Sequence, residues 1–159
     1  MATERVIVLG ASSGIGAAIA QQLGASGAHV ALLGRREDLL EEVAQEVRSA
    51  GGEAIVRVHD VTDFDGAATL FDELVGLLGG LDKLIYVSGA MPTIDEHEYS
   101  PQKDRQMMEV NVLGAMAWLN PAAAHMEAAR SGTIIGVSSI AGERGRRGNP
   151  AYCTSKAAM

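Results

Sequence analysis

The sequence predicts an α/β protein built on a doubly wound parallel sheet, and three observations support this. Five short apolar runs alternate with segments whose apolar residues recur at helical spacing, from one end of the chain to the other. The first run, at residues 6–9, is continuously apolar, which is typical of parallel strands covered on both faces. The chain also holds 19 glycines among its 159 residues, which suits the tight turns between strands and helices. No repeat or second domain is visible, so residues 1–159 are expected to form a single domain.

The five apolar runs are the predicted strands, and they lie at residues 6–9, 29–33, 54–58, 84–87 and 133–137. The predicted helices cover residues 17–23, 37–48, a segment that follows the cap Thr62-Asp63 and includes 70–78, and 104–125. Pro121 is expected to kink the last of these helices. Parallel strands joined through helices require right-handed crossovers, and this leads to the doubly wound arrangement.

The composition excludes several classes of function. The formal net charge of −7 disfavours binding to nucleic acid or to an anionic membrane. Cys153 is the only cysteine and the four histidines show no ligand spacing, so neither a disulfide nor a metal site is expected. No apolar run is long enough to cross a bilayer, and the N-terminal residues lack a signal-peptide layout. We therefore expect a soluble cytoplasmic protein.

A glycine-rich turn at residues 10–16 joins the first predicted strand to the first predicted helix. Its glycines are spaced G-x3-G-x-G, which allows a tight turn, a close approach of the backbone to a pyrophosphate, and close packing of helix on strand. The residues expected to contact a dinucleotide are Gly10, Ser12, Ser13, Gly14, Ile15 and Gly16. The alternative is a glycine-rich connection without a ligand.

The same turn spacing is used by the short-chain dehydrogenases/reductases, and the rest of the chain resembles that family in the same order. Asp60-Val61 ends the third strand, and Asn111 lies in Val-Asn-Val-Leu-Gly. Ser139 closes the fifth strand, thirteen residues before Tyr152, and Tyr152 and Lys156 form Y-x3-K. The resemblance covers essentially the whole chain and implies a Rossmann-like domain.

The resemblance also implies an activity, namely hydride transfer between a nicotinamide cofactor and a small-molecule carbonyl or alcohol. Tyr152 would protonate the carbonyl oxygen during reduction, and Ser139 would donate a hydrogen bond to that oxygen. Lys156 would favour the ionised form of the Tyr152 phenol, because a cation within about 4 Å stabilises an anion. Asn111 would position a water in a proton relay. The cofactor contacts that the resemblance implies outside the glycine turn and the second strand are Asp60, Val61, Gly89, Tyr152 and Lys156.

Two arginines at the end of the second strand favour NADP(H) over NAD. An acidic residue at this place would bind both ribose hydroxyls of NAD. This chain has Arg35 and Arg36 there instead, and a guanidinium is well suited to a 2′-phosphate. Arg35 is the expected main contact. The alternative is that both arginines are solvated residues at a helix start, where a cation is mildly unfavourable.

The chain departs from the family pattern at two places and ends early relative to it. Leu9 stands where a threonine is common, and residues 86–89 read Tyr-Val-Ser-Gly where the family has Asn-Asn-Ala-Gly. The family continues after Lys156 with two strands and a substrate loop, so we expect a domain incomplete at its C-terminus, with the fifth strand as an open sheet edge. The full-length form is expected to be a homo-oligomer.

Three functions remain open at this stage. The first is an NADP-dependent short-chain dehydrogenase/reductase, of which this is the N-terminal and catalytic part. The second is a non-catalytic dinucleotide-binding module or an inactive fragment. The intact Ser139, Tyr152 and Lys156 favour the first. The third is the related epimerase and dehydratase branch, which the turn spacing disfavours because that branch uses G-x2-G-x2-G.

Overall fold

A computed structural model describes residues 3–159 and contains one five-stranded, all-parallel sheet. The strands are β1 (Arg5–Leu9), β2 (His29–Gly34), β3 (Glu53–Val58), β4 (Lys83–Tyr86) and β5 (Thr133–Gly136). Their order across the sheet is β3-β2-β1-β4-β5. The predicted doubly wound α/β fold is therefore confirmed, with all five predicted strands in place.

Helices connect the strands and cover both faces of the sheet. They are α1 (Gly14–Ala25), α2 (Glu37–Ser49), α3 (Phe64–Leu78), α4 (Pro101–Met108), α5 (Gly114–Ala129), α6 (Ile140–Glu143) and α7 (Pro150–Ala157). A π-helical segment, Glu109–Leu113, joins α4 directly to α5. The predicted cap of α3 is present, because the Asp63 carboxylate accepts a hydrogen bond from the Gly66 N–H at 3.1 Å.

Two apolar layers hold the sheet between the helices. On one face Val6 and Val8 pack with residues of α1 and α2, and on the other Ile7 and Leu9 pack with residues of α3 and α5. This division follows from the alternation of side chains along a strand. Each fully buried aliphatic side chain contributes roughly 1.5–3 kcal/mol. The central strand β1 is thus fixed from both sides, and so is the turn that follows it.

The chain reverses its direction of travel across the sheet at β1. It moves outward from β1 to β2 and β3, and then returns to place β4 on the opposite side of β1. The connections after β1 and after β4 therefore leave in opposite directions, and a crevice opens between them at the carboxyl ends of the strands. This crevice holds the candidate site.

Strand β5 forms one edge of the sheet within residues 3–159. It pairs only with β4, and all four of its residues are exposed. The expected open edge at the fifth strand is confirmed for this part of the chain. Among the same residues, no helix is both long enough and apolar enough to cross a membrane.

Some predicted boundaries were wrong. Residues 14–16 belong to α1 and not to the turn, and the last long helix begins at Pro101. Val87 and Val137 lie just outside their strands, although each still donates a backbone hydrogen bond to its neighbour strand at 2.9 Å. The helix predicted over residues 104–125 is interrupted by the π-helical segment Glu109–Leu113. Pro121, the residue expected to kink this helix, lies inside α5.

Candidate functional site

The glycine turn after β1 packs directly against the loop that follows β4. Gly10 has a φ of +89°, and the N–H groups of Gly10 and Ala11 both donate to the Leu33 carbonyl, at 2.9 and 3.0 Å. A Cβ on Gly10 would lie 2.7 Å from the Ser88 nitrogen. A Cβ on Gly16 would run into the Gly10 carbonyl oxygen. Only glycine combines the positive φ with this close contact at residue 10, so Gly10 and Gly16 of the sequence spacing have a steric cause.

A cleft of about 520 Å³ opens beside this turn. Its lining includes nine of the residues that the sequence predicted as cofactor contacts, namely Gly10, Ser12, Ser13, Ile15, Arg35, Arg36, Asp60, Val61 and Gly89. The predicted residues Gly14, Gly16, Tyr152 and Lys156 are not part of the lining. The start of α1 borders the cleft, and its first N–H groups have no partner within the helix, which favours an anion there.

The two arginines at the end of β2 make different contacts. Arg36 donates from Nη2 to the hydroxyl groups of Ser12 at 2.9 Å and Ser13 at 2.7 Å. Arg35 Nη1 lies 3.7 Å from the Asp60 carboxylate, and its side chain is 69% exposed. Arg36 is therefore fixed across the glycine turn, while Arg35 extends over the cleft mouth.

Asp60 is held as an anionic acceptor. Partial burial raises the pKa of its carboxyl, but hydrogen bonds from Thr62 and the Arg35 charge outweigh this, so the pKa lies below its usual range. The Thr62 N–H and hydroxyl donate to Asp60 Oδ1 at 3.0 and 2.8 Å. One carboxylate oxygen is thus occupied within the chain, and the second faces Arg35.

Asn111 lies in the π segment and is fully buried. Its Oδ1 accepts the Ala90 N–H at 2.7 Å, and its Nδ2 donates to the Ala90 carbonyl at 3.0 Å and to the Ser155 hydroxyl at 2.9 Å. The side chain therefore ties the loop after β4 to α7. Every N–H of the amide is bound, which removes the penalty of burying it.

Lys156 joins α7 to the end of β5. Its Nζ donates to the Val137 carbonyl at 2.9 Å, and the Ser138 hydroxyl donates to the Lys156 carbonyl at 2.5 Å. Burial lowers the pKa of the ammonium. A Cβ on Gly89 would lie 3.5 Å from Lys156 Nζ and 3.6 Å from Asn111 Oδ1. The predicted residues Gly89, Asn111 and Lys156 are therefore neighbours in space.

Tyr152 and Ser139 are placed by helix starts. The Asn149 side chain caps α7 by accepting the Tyr152 N–H at 3.0 Å. Tyr152 and Lys156 are four residues apart within α7, and therefore share one face of this helix. Ser139 caps α6, because its Oγ accepts the Ala141 N–H at 3.1 Å. The Ser139 hydroxyl hydrogen is left available to a further acceptor.

The sequence analysis missed several partners that shape this site. The Ser155 hydroxyl accepts a hydrogen bond from Asn111, and the Val137 carbonyl accepts one from Lys156. The Tyr86 hydroxyl donates to the Val110 carbonyl at 2.6 Å. His59 lines the cleft and accepts the Trp118 indole N–H at 3.2 Å. No local pattern signals these contacts, because their members lie 19 to 59 residues apart.

The fold and the cleft together define a doubly wound α/β protein with a ligand site at the carboxyl edge of its sheet. The family model described as short chain dehydrogenase matches residues 4–159. The chain belongs to the short-chain dehydrogenase family, whose members are oxidoreductases that bind nicotinamide dinucleotides.

Curated relatives match along nearly the whole chain. It is 39% identical over 158 residues to cis-4-hydroxycyclohexanecarboxylate dehydrogenase of Sinomonas cyclohexanicum, covering 98% of this chain and 63% of that protein. It is 34% identical over 155 residues to a fatty acyl-CoA reductase of Acinetobacter baylyi, covering 96% of this chain and 52% of that protein. The chain thus spans about half to two thirds of the length of these relatives.

Solved structures give the same picture. NAD⁺-bound xylitol dehydrogenase superposes with a TM-score of 0.93 at 31% identity, over 98% of this chain and 60% of that one. A variant of actinorhodin polyketide ketoreductase with NADPH superposes with a TM-score of 0.90 at 29% identity, over 98% and 60%. Similar folds therefore hold either dinucleotide, and the choice between them depends on the residues of the individual chain.

Proposed function

We propose that this chain is the cofactor-binding and catalytic part of a reductase that moves hydride between NADP(H) and the carbonyl or alcohol group of a small molecule. The observation that carries this proposal is the convergence of Asn111, Gly89 and Lys156 beside the cleft. Lys156 lies on α7, the helix that also carries Tyr152. A binding module without chemistry has no need for a buried amide and a buried ammonium at this place.

The cleft suits a phosphorylated dinucleotide. The turn over residues 10–16 packs closely because Gly10 and Gly16 lack a Cβ, and the start of α1 offers unpaired N–H groups to a pyrophosphate. Arg35 and Arg36 place two guanidinium groups at the end of β2, where a 2′-phosphate would provide a charge partner. Arg36 is held in place by its hydrogen bonds to Ser12 and Ser13. We therefore assign Arg36 a larger part in binding the 2′-phosphate than the sequence alone indicated, together with Arg35.

The bound dinucleotide supplies or accepts the hydride, and the side chains of this chain manage the proton. During reduction Tyr152 donates a proton to the carbonyl oxygen, and the Ser139 hydroxyl donates a hydrogen bond to the same oxygen. The Lys156 cation stabilises the negative charge that develops on the Tyr152 phenol. Val137 limits the motion of that cation by accepting one of its N–H groups.

Asn111 acts in this scheme as a brace beside the proton path. It holds Ala90 and Ser155 at hydrogen-bond distance, and so sets the loop after β4 against α7. The relay water that the family resemblance implies would be held at this segment, next to Lys156.

The test is Tyr152→Phe in the protein, which removes one hydroxyl and leaves the ring. NADPH binding, followed by fluorescence titration, should stay within about twofold, while carbonyl reduction should fall by at least about a hundredfold. Tyr99→Phe is the matched control, since Tyr99 is 88% exposed and lies outside the cleft lining. Reduction that survives Tyr152→Phe unchanged would contradict the catalytic assignment. Retained NADPH binding with no reduction in the unaltered protein would favour the non-catalytic module.

A further inference from the structure

Tyr86 is the last residue of β4 and is fully buried. Its hydroxyl donates a hydrogen bond to the Val110 carbonyl oxygen at 2.6 Å, a contact that joins the sheet to the π segment. The family resemblance places an asparagine at this position, so the phenol is a feature of this chain. Burial strongly raises the pKa of Tyr86, so the phenol stays protonated and remains a donor.

The Val110 carbonyl needs an outside donor because the helix is widened at this point. In an α-helix the Gly114 N–H would donate to the carbonyl four residues earlier, which belongs to Val110. In the π segment the Gly114 N–H donates to the Glu109 carbonyl instead. The Val110 carbonyl loses its α-helical donor, and the Tyr86 hydroxyl replaces it.

The loop that follows β4 binds Asn111, the residue after Val110. Val110 is bound by the Tyr86 side chain, and Asn111 is bound by both backbone groups of Ala90, which lies in the loop after β4. Two consecutive residues of the π segment are thus fixed by two points of one strand and its loop. Asn111 reaches Ser155 of α7 from this position.

The Tyr86 hydroxyl packs closely against the helix backbone at Gly114. A Cβ on Gly114 would lie 2.7 Å from the Tyr86 hydroxyl and 2.9 Å from the Val61 carbonyl oxygen. The absence of a side chain at residue 114 therefore lets the hydroxyl reach Val110 past the start of α5.

We propose that Tyr86 is a positioning residue, whose hydroxyl holds the π segment in its widened form and thereby sets Asn111 against Ala90 and Ser155. The inference rests on the proposed function only for its kinetic consequence. Without the hydroxyl the segment returns towards α geometry, and this turns the Asn111 side chain away from α7.

A double-mutant cycle tests the kinetic part. Tyr86→Phe should lower kcat for carbonyl reduction about tenfold to a hundredfold, as a small misplacement of catalytic groups does, while the KM for the cofactor changes by less than about twofold. In an Asn111→Ala background the same change should lower kcat no further, because its effect passes through Asn111. Equal losses in both backgrounds would overturn the proposal.

A second measurement needs no activity, and so separates this inference from the proposed function. Hydrogen exchange of the Ala90 amide, followed by NMR, should become faster in Tyr86→Phe, because Asn111 Oδ1 no longer holds that N–H. Phe71→Leu is the control, since it removes side-chain volume from the same core layer but leaves the hydrogen bond from Tyr86 to Val110 in place. Unchanged exchange in Tyr86→Phe, or equal acceleration in Phe71→Leu, would overturn the role of Tyr86. A protein without reductase activity that still shows the selective acceleration would refute only the proposed function.

Discussion

Arg36 donates a hydrogen bond to the Ser13 hydroxyl at 2.7 Å and so bridges the end of β2 to the glycine turn. The same guanidinium group reaches Ser12 at 2.9 Å. These contacts hold a cation at the start of α1, where no acidic residue pairs with it among the described residues. A phosphate entering the cleft would therefore meet a charge that is already in place, and this reduces the ordering cost of binding.

Arg36→Ala should weaken NADPH binding about tenfold to a hundredfold, because a hydrogen bond to a charged group contributes about 1.5–3 kcal/mol. NADH lacks the 2′-phosphate, so its affinity should change by less than about threefold. Arg35→Ala should act in the same direction. Titrations of both cofactors by fluorescence measure the ratio.

Arg48→Ala is the control for this prediction, since Arg48 lies at the far end of α2 and contacts Glu41 and the Ala54 carbonyl. Equal weakening of NADPH and NADH by Arg36→Ala would mean that the residue shapes the turn and does not recognise a phosphate.

Gly10→Ala should destabilise the protein and remove cofactor binding. Gly27→Ala is the matched control, because Gly27 also has a positive φ, +77°, but nothing lies within 4 Å of a Cβ there. Both variants incur backbone strain of about 1–2 kcal/mol. Only Gly10→Ala also forces the loop at Ser88 away from the turn, so its Tm should fall further and NADPH binding should vanish. Similar Tm values and similar binding in the two variants would show that the contact with Ser88 is unimportant.

The main features of the fold could be predicted because each strand is dominated by a short apolar run, and the predicted helices show the 3.6-residue period or a cap such as Asp63. The candidate site could be predicted in part, because Gly10, Asn111 and Lys156 occupy spacings that the family resemblance makes specific. Patterns of this kind depend only on residues that are close together in the sequence.

The rest depends on contacts between distant segments. The apolar spacing around Asn111 is that of any helix, and the π segment is visible only once Tyr86 lies beside Val110. Likewise the pairing of Arg36 with the serines of the turn, and of Lys156 with Val137, depends on how β2 and α7 pack. Side-chain length and sequence order do not determine these pairs.

Strand β5 should promote association of the 159-residue polypeptide. Its outer edge is unpaired within the described residues, and Ile135 is 39% exposed. Ile135→Lys should slow the rise of light scattering in concentrated solution without lowering the Tm, since a charge on an edge strand opposes strand addition. Leu77→Lys provides the comparison, because Leu77 is 49% exposed on helix α3 and does not lie on a sheet edge. The same slowing from both variants would point to net charge and not to the β5 edge.

His59 should make the stability of the protein depend on pH in the weakly acidic range. The Trp118 indole N–H can only donate, so His59 Nε2 must be unprotonated to accept it at 3.2 Å. Burial lowers the pKa of His59, although Asp63 and Asp60 oppose the shift. In the unfolded chain a histidine binds its proton near pH ~6.5. The unfolded state therefore takes up the proton first as the pH falls, so this stabilisation is complete above about pH 6.5 and is lost as the pH falls through the lowered folded pKa.

Urea unfolding between about pH 7.5 and about pH 5.5 should show this loss, with a slope of at most about 1.4 kcal/mol per pH unit for one proton. His59→Gln should be less dependent on pH over the same range, because a glutamine oxygen can still accept the Trp118 N–H and does not titrate. His97→Asn is the control, since His97 is 84% exposed and its positive φ of 64° is tolerated by asparagine. Its pH dependence should match that of the unaltered protein. Parallel curves for the unaltered protein and His59→Gln would mean that other groups determine the acid sensitivity.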